Sequence, residues 1–190
     1  AGITMKSVDS VVYGSMDPFD GINCPDKWDV DVCGGALNKP YMKVTTGGTT
    51  GISIALAGYY HVASGLYDTC LAVSCQRVGE NVDAQLVLNT CVDPVFERHT
   101  GVGAITVGAF QAAAHMAKYG TTQEQMAMVR VNANANAMNN PYAHLRFEMT
   151  LDAALATRII SWPLRLSDCC PRSDGACALI FASEEKVKEI

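Results

Sequence analysis

Residues 41–65 read YMKVTTGGTTGISIALAGYYHVASG: a short strand ending in β-branched residues (41–46), a Gly47-Gly48-Thr49-Thr50-Gly51 turn, and an apolar helix expected over 52–64. Gly65 is the stop signal of that helix. Apolar residues occupy nearly every face of it (Ile52, Ile54, Leu56, Tyr59, Tyr60, Val62), the pattern of a helix buried on all sides. A strand delivered straight into a covered helix is the building unit of an α/β fold. The turn sits at the positive end of the helix dipole, a place that presents a reactive side chain or holds an anion. Here no Ser, Cys or Lys stands in the turn. Its spacing matches neither G-x-G-x-x-G nor the P-loop, which argues against a nucleotide site. Taken alone, the glycines also read as a tight connection that lets strand and helix pack closely.

The rest of the chain alternates in the same way. SVDSVVYGS (7–15) reads as a strand, and TCLAVSCQRV (69–78) as a continuous apolar strand of a sheet covered on both faces. Residues 16–40 between them form an irregular insertion, broken by Pro18, Pro25, Pro40 and Gly34-Gly35, with a short helical piece near WDVDV. After a loop over 79–103, AITVGAFQAAAHMAKYG (104–120) predicts a helix closed by Gly120. Thr121 with Glu124 predicts a capping box for the next helix, from Thr122 to about Met138, which NNPY (139–142) ends. A short helix near 150–158, an ordered LRLSDCCPRSDG connection, a strand GACALIFAS (175–183) and a helix opened by Ser183, Glu184 and Glu185 complete the order. Alternating strands and helices around one irregular insertion give an α/β class, with no internal repeat.

Composition narrows the function classes. Of 190 residues 49% are apolar and only 17% charged, so the chain is richer in core than in surface. That balance predicts extensive burial against a second copy or a further domain. A net charge of −5 with 14 thinly spread basic residues argues against nucleic acid. No apolar run approaches the roughly 18–20 residues of a membrane span, and no basic, apolar leader is present, so neither membrane insertion nor secretion is expected. Eight cysteines (24, 33, 70, 75, 91, 169, 170, 177) form no C-x-x-C pair, and the adjacent Cys169-Cys170 is poor zinc geometry. Several lie in apolar runs, including Cys70, Cys75 and Cys177. They read as reduced, mostly core thiols of a cytoplasmic protein, with no metal.

Three stretches are more specific: YMKVTTGGTTGISIALAGYYHVASGLYDTCLAVSCQRV, DPVFERHTGVGAITVGAFQAAAHMAKYG and NNPYAHLRFEMTLDAALATRIISWPLRLSDCCPRSDGACALIFASEE. In that order, over about residues 40–185, they resemble the N-terminal half of the thiolase superfamily, most closely its sterol-carrier and archaeal thiolase-like branch. The resemblance implies one half of a five-layer αβαβα sandwich with an inserted loop domain. Residues 1–78 would belong to the core, 79–172 to the loop domain, and 173–190 would return to the core. The opening Ala1-Gly2-Ile3 resembles the end of the family's first helix, so the strand before it would be missing. The second half, with the family's Asn/His and Gly-His-Pro motifs, would lie outside this chain or on a second one.

In thiolases the nucleophilic Cys occupies this strand-to-helix turn, where backbone amides and the helix dipole favour a thiolate. The alignment places Gly48 at that position. Cys33, in DVCGG, lies too far upstream to replace it, and Thr49 and Thr50 are not comparable nucleophiles at neutral pH. What the resemblance leaves is a small-residue niche (Gly47, Gly48, Thr49) able to hold a coenzyme A thioester as substrate, with no permanently bound cofactor. Tyr142 and His144, in NNPYAHLR, are the other candidates for substrate contact, against a plain helix-stop turn. His61 and His115 read as packing residues, and Cys91 as an unactivated thiol. Three functions are compatible: C–C cleavage without a nucleophilic Cys, as in the retro-aldol branch; an ordinary acetyl-CoA acyltransferase; or a non-catalytic subunit. The same resemblance implies a homodimer through strand 41–46 and, for the retro-aldol branch, a small partner subunit of OB-fold and zinc-ribbon type.

Overall fold

The structure is a computed structural model that describes residues 2–16, 19, 26–34, 37–79 and 83–190. The readings placed on Pro18, Cys24, Pro25 and Gly35 lie outside the described residues. The chain divides into two compact units, Ala1–Val82 with Asp174–Ile190, and Asp83–Ser173. In chain order the first unit begins with β1 (Ser10–Gly14), α1 (Asp26–Asp29), β2 (Tyr41–Val44), α2 (Thr50–Ala63) and β3 (Thr69–Gln76). The second unit holds α3 (Ala84–Asn89), α4 (Ala104–Tyr119), α5 (Gln123–Ala137), α6 (Leu151–Leu155), β4 (Ile159–Ser161) and β5 (Leu164–Arg165). The chain then returns to the first unit as β6 (Gly175–Ala182) and α7 (Glu184–Glu189).

The first unit is built on a four-stranded sheet in the order β2-β1-β3-β6. β1 pairs in parallel with β2 (Val11 with Tyr41) and with β3 (Ser10 with Cys70), whereas β6 runs antiparallel to β3 (Thr69 with Ala182). Every residue of β1 is buried, as its all-apolar centre requires of a strand covered on both faces. Val8, Val11 and Leu71 form the core on one face, and Val12 and Cys70 pack with Ile54 of α2 on the other. Two glycines allow that approach. A Cβ at Gly14 would lie 2.5 Å from Ile54 Cγ2, and one at Gly58 would lie 2.8 Å from the Phe181 ring.

Two expectations for this unit need correction. α2 is not buried all round: Ile54 faces the sheet, but Ile52, Leu56, Tyr59 and Tyr60 are exposed. Those four sit at i, i+4, i+7 and i+8, one continuous stripe on the side away from Ile54. Nor is β3 covered along its whole length: Thr69–Ala72 are buried and its last four residues only half so. Among the thiols, Cys70 is buried, Cys75 half-buried and Cys177 exposed, so the core reading holds for Cys70 and fails for Cys177.

In the second unit, α4 ends at Gly120, whose φ of +71° supplies the left-handed closure that the sequence predicts. The capping box of α5 sits one residue later than expected. Thr122 Oγ1 accepts from Gln125 N (3.3 Å) and Gln125 Oε1 accepts from Thr122 N (3.0 Å), while Thr121 bonds His115 instead. His115 is thereby an exposed residue, not a packing one. The buried side of α5 carries Ala127 and Asn134, whose Nδ2 donates to Phe147 O (2.9 Å). Arg165 ties the β4–β5 hairpin to this helix through Nε and Nη2, both donating to Gln123 Oε1.

Candidate functional site

The turn before α2 is a single 3-10 turn, Gly47–Thr49, whose first residue has φ +63°. That left-handed value explains a glycine at 47. A lattice of hydroxyls fixes the turn from inside. Thr50 Oγ1 accepts from Thr46 N (3.0 Å) and donates to Gly47 O (2.7 Å). Thr49 Oγ1 donates back to Thr46 O (2.9 Å), and Thr46 Oγ1 shares a hydrogen bond with Ser53 Oγ (2.7 Å). Thr49 is the N-cap of α2, yet its side chain makes no capping bond, because its hydroxyl is committed to Thr46. The start of α2 thus offers its amides and dipole without a capping side chain.

Gly48 differs from Gly47. Its φ is not in the left-handed region, it is exposed, and a Cβ there would meet no atom within 4 Å. Sterics do not require glycine at 48. The thiol is absent where a cysteine would fit, at the very position the sequence alignment assigned to the nucleophile.

Among the described residues, Cys33, Cys70 and Cys169 do not stand in for it. Burial pushes the Cys70 thiol above its ordinary value, and burial is likewise the leading cause for Cys33 and Cys169. A thiol held protonated is neither nucleophile nor metal ligand. Cys91 is exposed in the turn that follows α3. Half-buried His61 serves structure: its Nδ1 meets Ser10 Oγ at 3.1 Å and Cys70 Sγ at 3.8 Å, satisfying the fully buried serine hydroxyl. Tyr13, buried under α1, donates to Asp29 Oδ2 (2.5 Å), and burial, ahead of that bond, raises its phenol far above the usual range.

Beside the first turn of α2 the first unit opens a cavity of about 320 Å³, lined by Gly51 and Ile54 of the helix, Ala72, Ser74 and Gln76 of β3, and part of β6. Glycines and alanines make up much of the wall, and the polar side chains Ser74 and Gln76 are hydrogen-bonded to backbone. Ser74 Oγ donates to Gly14 O (2.7 Å), and Gln76 Oε1 accepts from Met16 N (2.6 Å). Sequence reading missed Ser74 and Gln76, because their role appears only once β3 lies beside β1. The pairing of Gly14 with Ser74 was the one signal available, and it needs the register.

Tyr142 and His144 lie in the second unit, and Gly47–Thr49 in the first. The loop that carries the pair is ordered by its own bonds: Tyr142 N donates to Asn140 Oδ1 (3.0 Å) and Arg146 Nη2 to Met138 O (3.0 Å), closing the end of α5. Tyr142 is 93% exposed, and His144 Nδ1 is held 2.5 Å from Ser173 Oγ. Among the described residues no group of His, Cys, Asp and Glu has the arrangement to hold a metal ion, and no helix is long and apolar enough to cross a membrane.

No protein-family profile matches the chain. It is 31% identical over its whole length to an acetyl-CoA acetyltransferase of Methanocaldococcus jannaschii, of which it covers 48%. It is 37% identical over 133 residues, 70% of its length, to the acetyl-CoA acetyltransferase of Methanothermobacter thermautotrophicus, covering 35% of that protein. Among solved structures, the Ltp2-ChsH2(DUF35) aldolase superposes on all of it with a TM-score of 0.72 at 24% identity, over 48% of the aldolase chain. Human mitochondrial 3-ketoacyl-CoA thiolase in complex with CoA covers 98% of it with a TM-score of 0.69 at 15% identity, over 56% of the thiolase chain. At these identities the two structures establish the fold. The chain spans less than half the length of the curated relatives it matches. It belongs to the thiolase superfamily, and what it carries is the N-terminal half of that fold.

Proposed function

We propose that the protein to which this chain belongs acts on a coenzyme A thioester, cleaving a β-hydroxyacyl-CoA by a retro-aldol reaction without a covalent acyl-enzyme. One observation carries the reading: Gly48, which the resemblance aligns with the family's nucleophile, stands in open space at the head of α2, where a cysteine side chain would fit. C–C cleavage next to a thioester needs hydrogen-bond donors for the developing enolate oxygen and a base for the β-hydroxyl proton, and neither is a thiolate. In this reading the amides of the Gly47–Thr49 turn and the start of α2 receive the thioester oxygen, and Tyr142 and His144 contact the substrate. The cavity beside Gly51 takes the acyl end. The base comes from a second half of the fold, with residues 79–172 as the loop domain and 1–78 and 173–190 as core. A homodimer forms through β2, and a partner subunit is expected by likeness to the aldolase whose name includes DUF35.

A second reading, a conventional acyltransferase, is favoured by the names of the two archaeal relatives. The native assembly, purified with whatever accompanies it, decides between the two. Incubated with a β-hydroxyacyl-CoA, it should release a carbonyl compound and a shortened acyl-CoA. Thiolysis of a β-ketoacyl-CoA with no aldol cleavage would establish the second reading instead.

A further inference from the structure

An open groove of the second unit has no part in the reading above. It encloses about 410 Å³ between one face of α5 (Met126, Val129, Arg130, Ala133) and the turn 167–170. The four helix residues recur at i, i+3, i+4 and i+7, so they form one wall, and the buried Ala127 and Asn134 lie about a quarter-turn round the helix from it. Three of the four are apolar. The fourth carries the groove's one cation: Arg130 Nε is buried and has no hydrogen-bond partner among the described residues. Its guanidinium carbon lies 6.0 Å from the centre of the Phe147 ring, within cation–π range. Asp168, the carboxylate of the wall among the described residues, accepts from Arg165 N through Oδ2 (2.7 Å).

An arginine cannot shed its charge, and a buried guanidinium donor without an acceptor is costly. A carboxylate is its natural complement, taking two parallel N–H bonds. The volume falls in the range of small-molecule sites, which are mostly apolar with a few placed polar groups. We infer that this groove binds a small amphipathic carboxylate, its acid group on Arg130 and its apolar tail along Met126, Val129 and Ala133. The inference does not depend on what happens at Gly48.

Cys170, exposed in the groove wall, is a built-in reporter, and Cys91, exposed elsewhere in the same unit, is its reference. Iodoacetamide labelling of both is followed by peptide mass spectrometry on the native assembly, with octanoate or its neutral counterpart octanamide as probe. Octanoate at ten times its Kd should slow labelling of Cys170 about tenfold by mass action and leave Cys91 unchanged. Octanamide should protect far less, Arg130→Gln should abolish the octanoate effect, and Arg130→Lys should retain part of it. Equal protection by both probes, no protection by octanoate, or protection that survives Arg130→Gln would each overturn the inference. A Cys170 already unreactive without probe, because another polypeptide covers the groove, would overturn it as well. The comparison of the two probes on the unaltered protein needs no variant, and labelling is read without any activity assay.

Discussion

At the scale of single residues, the two turn glycines separate conformation from chemistry. Gly47 is held by its positive φ, so Gly47→Ala should cost roughly 1–2 kcal/mol. Gly48→Cys places its side chain in open space and should change stability by no more than about 0.5 kcal/mol. Denaturant melts of the two variants, side by side, test this: equal losses would refute the distinction. Gly48→Cys should also gain a rapidly alkylated thiol, but no efficient thiolysis unless an activating histidine is supplied from elsewhere. The buried thiol of Cys70 gives a pH dependence of known sign. Its folded value is raised above the ordinary 9.0, so the native state keeps a proton that the unfolded chain releases. Its contribution to stability is complete below about pH 9 and is lost as pH rises towards the folded value. Melts from pH 7 to 10.5 should show a decline that is shallower in Cys70→Ala; identical slopes would contradict the assignment. The strand–turn–helix unit around Gly48 was legible in the sequence, because the β-branched strand end, the glycines and the apolar run are all local signals. Ser74 and Gln76 were not, since strand register is set by long-range pairing.

At the scale of elements, the first turn of α5 shows where local sequence stops deciding. TTQEQ offers two overlapping capping boxes, Thr121 with Glu124 and Thr122 with Gln125. The second forms because Gly120 closes α4 in a left-handed conformation and leaves Thr121 beside His115. Thr122→Ala should therefore cost about 0.5–2 kcal/mol and Thr121→Ala much less, by thermal or denaturant melts. The reverse order would restore the frame expected from sequence. The apolar count of α2 was legible too, but not its partner. The side bearing Ile54 meets the sheet, and the stripe of Ile52, Leu56, Tyr59 and Tyr60 does not. Hydrophobicity alone says that a face will be buried; it does not say by which chain. The antiparallel run of β6 was likewise hidden, because an apolar octapeptide reads the same in both directions.

At the scale of the whole molecule, the exposed stripe of α2 predicts the behaviour of residues 1–190 made alone. They should bind a hydrophobic dye or aggregate, since monomers rarely expose apolar patches beyond about 300–600 Å². A soluble, cooperatively melting monomer that binds no dye would contradict the view that a further half covers α2. Among the described residues, the four-residue β2 stands at one edge of the sheet, and the proposed homodimer pairs it with the same strand of a second copy. Sedimentation of the native protein at micromolar concentration should therefore give a dimer of the core, and a monomer would count against that pairing. The central claim is that a turn built for a nucleophilic cysteine now works without one. Its most direct measurement is the intact mass of the native protein after incubation with an acyl-CoA. The account predicts an unchanged mass, with no acyl group on any cysteine. A stable acyl adduct on a cysteine, or acyl transfer abolished by alkylation, would contradict it.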